Sequence, residues 1–97
     1  MVEHVVLFKV KGDASPEAIE EMLSSLRDLE GQVPGVVNLT VGTNFSDRSK
    51  GFTHGLVVRF RDQDALEAYL PHPAHQAAVQ DRIQPIVDDI IVIDYII

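Results

Sequence analysis

Short runs of Val, Leu, Ile and Phe alternate along this chain with two regions whose apolar residues recur at helical spacing. In chain order, the patterns predict a strand, a helix, two strands joined by a polar hairpin loop, a second helical region and a last strand. This order is the split βαβ arrangement. Its right-handed crossovers place the first and third strands at the centre of an antiparallel sheet, with the helices on one face.

The boundaries of these elements follow from local signals, and the 97 residues suit a single domain, 1–97. Ser15, Pro16 and Glu17 provide an N-cap, a proline at the first helical position and an acidic residue in the first turn. Gly31 is a typical helix stop. The strands are expected at 4–11, 36–42, 52–60 and 90–97, and the second helical region at 62–70 and 73–86, with a break at the prolines between them.

The first and last predicted strands are apolar on both faces. In the first strand Val6 and Phe8 point to one side, and Val5 and Leu7 point to the other. The fold class is therefore α+β, a ferredoxin-like βαββαβ sandwich whose helices cover one face of the sheet and leave an apolar face uncovered. A second copy of the same sheet is the simplest partner for that face. We therefore expect a homodimer in which two sheets close face to face into an α/β barrel.

Charge and composition exclude several classes of partner. The chain has 15 acidic and 8 scattered basic residues, with a net charge of −7, whereas nucleic-acid binders concentrate Lys and Arg on one surface. Nucleic acid and membrane surfaces are therefore not expected partners. No apolar run approaches the roughly 20 residues of a membrane span, and no signal peptide is recognisable. The absence of cysteine fits a reducing compartment, so we expect a soluble cytoplasmic protein.

Three histidines, a tyrosine and a carboxylate are predicted to point into the space between the helices and the sheet. His4 and His54 are in phase with inward apolar residues of their strands, and Tyr69 and His75 lie on apolar helical stripes. Asp94 lies among isoleucines in the last strand, where a carboxylate without a partner is costly to bury. A polar cluster in an apolar pocket is typical of a small-molecule site.

Five short motifs also occur together: HVVLFK at 4–9, GTNFS at 42–46, GFTH at 51–54, YLPHPAH at 69–75 and DY at 94–95. With them the chain resembles, over its whole length, the stress-responsive dimeric A/B barrel family. The Tyr-x-x-His-Pro-x-His run is the most specific of the five. The resemblance implies the same ferredoxin-like homodimer that the hydrophobic pattern predicts.

The resemblance also implies a chemistry, because the plant polyketide-cyclase branch of this family closes a linear polyketone by proton transfers without a cofactor. Tyr69 and His75 match the catalytic tyrosine and histidine of that branch, and His4 and His54 match further histidines of its pocket. We therefore expect acid–base chemistry of the cyclase, lyase or isomerase type on a small carbonyl or aromatic compound, with no cofactor. His75 is the candidate base, Asp94 its orienting partner and Tyr69 the hydrogen-bond donor to the carbonyl.

Other interpretations remain open at this point. The same side chains can hydrogen-bond to one another in a non-catalytic stress-response or ligand-binding homodimer. A cofactor-free monooxygenase acting on aromatic compounds is a further alternative. A metal site is not predicted: His72 and His75 have an i,i+3 spacing, but there is no cysteine and few carboxylates lie near this pair.

Overall fold

The computed structural model describes residues 1–97 and contains one four-stranded antiparallel sheet in the order β2-β3-β1-β4. Its elements are β1 (Val2–Val10), α1 (Pro16–Gln32), β2 (Val36–Thr43), β3 (His54–Phe60), α2 (Gln63–Tyr69), α3 (Pro73–Ala78), a π-helical turn (Val79–Ile83) and β4 (Val87–Ile96). Strands β1 and β3 are central, and the helices pack on one face of the sheet. The predicted ferredoxin-like fold is therefore confirmed.

Helix α1 begins where the sequence signals place it. The hydroxyl of Ser15 accepts a hydrogen bond from the backbone N–H of Ala18 at 3.1 Å, and Pro16 is the first helical residue. The hydroxyl therefore satisfies one of the backbone donors that every helix leaves free at its start. The helix buries one apolar stripe against the sheet, formed by Met22, Leu23, Leu26 and Leu29.

The core lies between the helices and the inward face of the sheet. Phe8, Val58 and Phe60 contribute from the two central strands, and Leu26 and Tyr69 contribute from the helices. Each of these side chains is at most 1% exposed. Burial of a side chain of this size stabilises the fold by about 1.5–3 kcal/mol. No helix of the structure has the length and apolar character needed to cross a bilayer.

The opposite face of the sheet carries no helix, and we call it the open face. Its apolar residues are exposed or only partly buried, and an ion pair between Arg59 Nε and Glu3 Oε1, at 2.5 Å, lies beside them. The register of the strands assigns to this face Val5 and Leu7 of β1, Val57 of β3, and Ile91, Ile93 and Tyr95 of β4. The sequence prediction that this sheet is apolar on both faces is confirmed.

Several strand boundaries differ from the sequence prediction by one to three residues; β1, for example, begins at Val2 and not at residue 4. Strand β4 begins at Val87, three residues early, because a register shift at Lys9 and Val10 lets Val10 pair with Val87. Strand β3 begins at His54, two residues late; just before it, the Thr53 hydroxyl accepts a hydrogen bond from the N–H of Val10 and donates one to the carbonyl of Phe8. The second helical region is also not uniform, since it widens into a π-helical turn after Ala78.

Candidate functional site

A cavity of about 230 Å³ lies between the second helical region and the inward face of the sheet. Its walls are mostly apolar, and its polar side chains lie next to one another. The lining residues are His4, Val6, Phe8, Leu26, Leu56, Tyr69, Leu70, His75, Val79, Ile83, Ile90, Val92 and Asp94. The structure therefore brings four of the five predicted site residues, His4, Tyr69, His75 and Asp94, around one cavity.

The cavity has a closed floor and an open rim. Phe8 and Leu26 at the floor are each 1% exposed, whereas Leu70, Ile90 and Val92 are 45–47% exposed. The rim residues belong to the end of α2 and to β4, the edge strand that no helix covers. The opening of the cavity therefore lies between the end of α2 and β4.

Helix α2 positions Tyr69, and two local contacts fix where this helix starts. The carboxylate of Asp62 caps it by accepting a hydrogen bond from the backbone N–H of Ala65 at 2.9 Å. Gly35, before β2, has φ +89°, and a Cβ at this position would lie 2.7 Å from the Cβ of Ala65. Only glycine permits this close approach with a positive φ. The packing of the loop on the first turn of α2 thus holds the helix that carries Tyr69.

Tyr69 is fully buried, and its hydroxyl has no hydrogen-bond partner in the protein. Its ring packs on the ring of His75, with centroids 4.3 Å apart, and contacts the ring of His4 edge-on at 5.9 Å. Burial raises the pKa of the Tyr69 phenol to about 12, because the phenolate is poorly solvated there. The hydroxyl therefore stays protonated at neutral pH and is free to donate a hydrogen bond to a ligand.

His75 is held by the break between α2 and α3. His72 caps α3, since its Nδ1 accepts a hydrogen bond from the backbone N–H of Ala74 at 3.1 Å, and Pro73 is the first helical residue. One turn later, His75 Nδ1 lies 2.9 Å from the carbonyl oxygen of Leu70. Because a carbonyl only accepts, Nδ1 must carry the proton. The neutral ring therefore leaves the lone pair on Nε2 as a proton acceptor.

The pKa of His75 is lowered from the ordinary histidine value. Burial is the main cause, because it disfavours the imidazolium; the hydrogen bond to Leu70 opposes it, and charge on His4 and His72 adds to the lowering. His75 is consequently neutral at physiological pH. A neutral imidazole next to a protonated phenol is the state in which one group accepts a proton while the other donates a hydrogen bond.

His4 and Asp94 form a cross-strand pair. They lie opposite each other on β1 and β4, and His4 Nδ1 donates to Asp94 Oδ1 at 2.5 Å. The expected contact between Asp94 and His75 is therefore absent: Asp94 binds His4, and the Leu70 carbonyl takes the orienting position on His75. The reason is the register, which places Asp94 directly beside His4 on the neighbouring strand.

His54 does not line this cavity, so its expected place with the other histidines is corrected. It lies four residues along β3 from Val58, the residue that pairs with His4, which is about 13 Å along the strand. His54 Nδ1 hydrogen-bonds to Thr53 Oγ1 at 2.8 Å, and that hydroxyl also donates to the carbonyl of Phe8. The pKa of His54 is lowered by burial. Its contacts join β3 to β1 at the far end of the sheet.

The acceptor that sets the tautomer of His75 is a backbone group, which side-chain patterns cannot reveal. The end of a predicted helix nevertheless indicates where a free backbone acceptor lies. The last carbonyls of a helix have no partner inside the helix, and α2 ends at Tyr69, immediately before Leu70 and Pro71.

No group of three or more His, Cys, Asp or Glu side chains is placed to hold a metal ion.

The lowered pKa values of His54 and His75 predict how stability depends on pH. Between the lowered folded pKa and the unfolded value of about 6.5, the unfolded chain binds more protons. The stability from both neutral rings is thus fully present above about pH 6.5 and is lost as the pH falls through the folded pKa. We expect the free energy of unfolding, measured with urea, to decrease from pH 7.5 to pH 5.5, and to decrease less in His75→Asn. The slopes of the two proteins with pH should differ by the equivalent of at most one proton. Equal pH dependence in both proteins would contradict the lowered pKa of His75.

The fold and the site define the class: a ferredoxin-like α+β protein with a histidine- and tyrosine-lined cavity beneath its helices. The family model described as "Stress responsive A/B Barrel Domain" (Dabb) matches residues 2–97. The chain belongs to this family, as the motifs at 4–9 and 69–75 indicate.

Two relatives in sequence illustrate the range of the family. A stress-response A/B barrel domain-containing protein of Arabidopsis thaliana is 33% identical over 97 residues, which cover 99% of this chain and 36% of the plant protein. The chain therefore spans about a third of the length of that relative. Olivetolic acid cyclase of Cannabis sativa is 26% identical over 76 residues, which cover 76% of this chain and 75% of the cyclase.

Solved structures share the fold over nearly the whole chain. The protein At3g17210 of Arabidopsis thaliana is similar with a TM-score of 0.89 and 30% identity, over 99% of this chain and 94% of that one. A Jannaschia protein described as dimeric and ferredoxin-like has a TM-score of 0.82 and 28% identity, over 99% and 98% of the two chains. Hydroxynitrile lyase of Passiflora edulis has a TM-score of 0.90 over 99% and 92% of the chains, and its 24% identity shows the fold alone.

Proposed function

We propose that this protein is a homodimer in which each subunit uses the cavity for cofactor-free acid–base chemistry on a small carbonyl compound, of the cyclase, lyase or isomerase type. The observation that carries the proposal is the buried hydroxyl of Tyr69, which has no partner in the protein and belongs to a ring packed on the ring of His75. Buried polar groups are normally hydrogen-bonded. A ligand carbonyl supplies the missing acceptor.

The roles of the two residues follow from their protonation states. The Tyr69 hydroxyl donates a hydrogen bond to the carbonyl oxygen, and His75 Nε2 takes a proton from the adjacent carbon. Negative charge then develops on the oxygen, and the hydrogen bond from Tyr69 becomes stronger as it does. Because the Tyr69 pKa is raised to about 12, the phenol stabilises the enolate without losing its own proton. No metal or organic cofactor takes part in this step.

The His4–Asp94 pair provides a second histidine at the same cavity. Asp94 holds the Nδ1 proton of His4 and so leaves His4 Nε2 unprotonated in the neutral ring. Asp94 therefore acts through His4, not through His75. The name of olivetolic acid cyclase, 26% identical to this chain, supports an enzyme of the cyclase type.

The open face is the proposed dimer interface. It presents large exposed side chains, among them Leu7, Ile93 and Tyr95, and contiguous apolar surface of this kind marks an interaction site. The related Jannaschia protein is described as dimeric. Each subunit of this homodimer is a single domain, residues 1–97. The absence of cysteine fits a cytoplasmic location.

Proton exchange into a simple ketone tests the chemistry directly. Phenylacetone in D₂O is expected to exchange its α-protons faster with the protein than in buffer. His75→Asn should lower the added rate by about 10²–10⁴-fold, because it removes the base. The matched control is His72→Asn, three residues earlier, which keeps a side-chain acceptor for the α3 cap and should exchange at the unmodified rate. Equal rates for His75→Asn and the unmodified protein would refute the proposed base.

A ligand-binding dimer without turnover is the alternative that one observation favours. Both histidine rings at the cavity already have Nδ1 partners, in Asp94 and Leu70, and such contacts also stabilise a purely structural cluster. Under this alternative, phenylacetone shifts the ring signals of His75 and Tyr69 but exchanges no faster than in buffer.

A further inference from the structure

The cavity offers an anionic ligand no permanently charged cation. Its lining residues include neither Lys nor Arg, and its one carboxylate, Asp94, is already paired with His4. Two more carboxylates, Asp88 and Asp89, lie exposed on β4 just before the rim residue Ile90. The chain as a whole carries a net charge of −7. An approaching anion therefore meets negative charge at the rim and no unpaired lysine or arginine inside.

The charges around the cavity determine which ligands can enter it. A carboxylate or phosphate that enters an apolar cavity loses its hydration and needs a counter-charge to replace it. Here the nearest polar groups are the hydroxyl of Tyr69, the ring of His75, and the ring of His4, whose Nδ1 is already bound to Asp94. We propose that this cavity selects uncharged compounds and rejects carboxylates and phosphates of the same shape. This inference rests on the proposed function, because it specifies the substrate class of the same site.

The volume of the cavity sets the size of the ligand. An apolar cavity of about 150 Å³ holds a benzene molecule, and this cavity measures about 230 Å³. It therefore accommodates one ring or a short branched chain with a small carbonyl-bearing substituent. Compounds with a bulky carrier group attached extend beyond the rim between α2 and β4.

The arrangement of the lining fixes the orientation. His4, Tyr69 and His75 are in contact through their rings, so the polar groups form one patch. The floor is apolar and is formed by Phe8, Leu26 and Leu56. The carbonyl group therefore points to the histidines, and the hydrocarbon part of the ligand packs on the floor.

Two probes of nearly the same shape test the inference. Phenylacetone and phenylacetate differ in having a methyl group or an anionic oxygen on the carbonyl carbon. In NMR titrations at pH 8, we expect phenylacetone to shift the ring signals of Tyr69 and His75 with a dissociation constant at least about tenfold below that of phenylacetate. Equal or tighter binding of phenylacetate would overturn the selection of uncharged ligands and leave the proposed chemistry standing. If neither probe shifts either ring, the proposed function fails together with this inference.

A matched pair of lysine variants makes the test independent of the probes' other properties. Val92 lines the cavity and is half exposed on β4, whereas Gln84 is exposed and lies outside the lining. We expect Val92→Lys to tighten phenylacetate binding by about tenfold or more, and Gln84→Lys, which adds the same charge, to leave it within about twofold. Equal effects of the two variants would show that net charge, and not the cavity lining, excludes anions, and would overturn the inference.

Discussion

The Tyr69→Phe variant is expected to be more stable than the unmodified protein by about 1–2 kcal/mol, and yet to exchange the α-protons of phenylacetone at least about a hundredfold more slowly. Both changes have one cause. The hydroxyl of Tyr69 is buried and has no partner in the protein, so the free protein bears its desolvation penalty. Phenylalanine keeps the ring contacts with Phe60 and His75 and removes only the oxygen.

The sign of the stability change separates a site that binds a ligand from a purely structural cluster, and the exchange rate separates turnover from binding alone. In a purely structural cluster, the hydroxyl of Tyr69 would have a partner, and its removal would lower the stability by about 1–3 kcal/mol. In a site whose hydroxyl serves a ligand, removal of the hydroxyl raises the free energy of unfolding and abolishes the proton exchange of the ligand. Such a loss of activity with a gain in stability is common for active-site residues. Urea unfolding at fixed protein concentration measures the first quantity, and deuterium incorporation followed by NMR measures the second.

Tyr95 provides the control for the Tyr69 experiment. It is the other tyrosine of the chain and lies on the open face of β4, outside the cavity lining, so Tyr95→Phe should leave the exchange rate unchanged. A stability loss of about 1 kcal/mol or more in Tyr69→Phe would show that the hydroxyl is hydrogen-bonded in solution. The proposed donor role would then lose its main support.

The order and type of the elements could be predicted because each local signal agrees with the global fold. Ser15 and Pro16 start α1 at the predicted residue. Apolar residues occupy both sides of β1 and β4 and so predict two apolar sheet faces, which the structure shows. Such agreement between local preference and overall fold is expected of a sequence that folds to one structure. It is sufficient to predict the strand order, since the crossover rule leaves few topologies.

The strand boundaries and the irregularities could not be predicted, because they depend on contacts between distant segments. Strand β4 begins at Val87 through pairing with Val10, across a register shift; the polar residues Asp88 and Asp89 hide this extension from a hydrophobicity pattern. The π-helical turn at Val79–Ile83 differs from an α-helix by the position of a backbone hydrogen bond. Side-chain periodicity over five residues does not distinguish the two.

The candidate site was predictable in its composition but not in its pairings. The phase of His4 and Asp94 in their strands, and of Tyr69 and His75 in their helices, predicts inward-pointing side chains, and all four line one cavity. Which side chains touch depends on the register between residues about ninety positions apart, so Asp94 was expected on His75 and lies on His4. The catalytic roles of these residues stay a prediction until proton exchange is measured.

A single lysine on the open face is expected to dissociate the proposed homodimer. Ile93 lies opposite Val5 on the open face and is 57% exposed in the single chain, so Ile93→Lys leaves the subunit's own core unchanged. In the dimer, the lysine would be buried against the apolar partner sheet without a counter-ion, which costs several kcal/mol. Because a two-fold axis relates the two subunits, the substitution weakens the interface at two symmetric positions.

Sedimentation at micromolar concentration measures this effect. The unmodified chain should sediment with the mass of two subunits and Ile93→Lys with the mass of one, 10.8 kDa. Leu70→Lys is the matched control, because Leu70 is 45% exposed on the helical side of the sheet, and this variant should remain dimeric. Stable interfaces bury about 800 Å² per partner, so loss of the dimer should also lower the urea midpoint of Ile93→Lys. If the unmodified chain sediments as one subunit, the open face needs another partner and the proposed barrel is wrong.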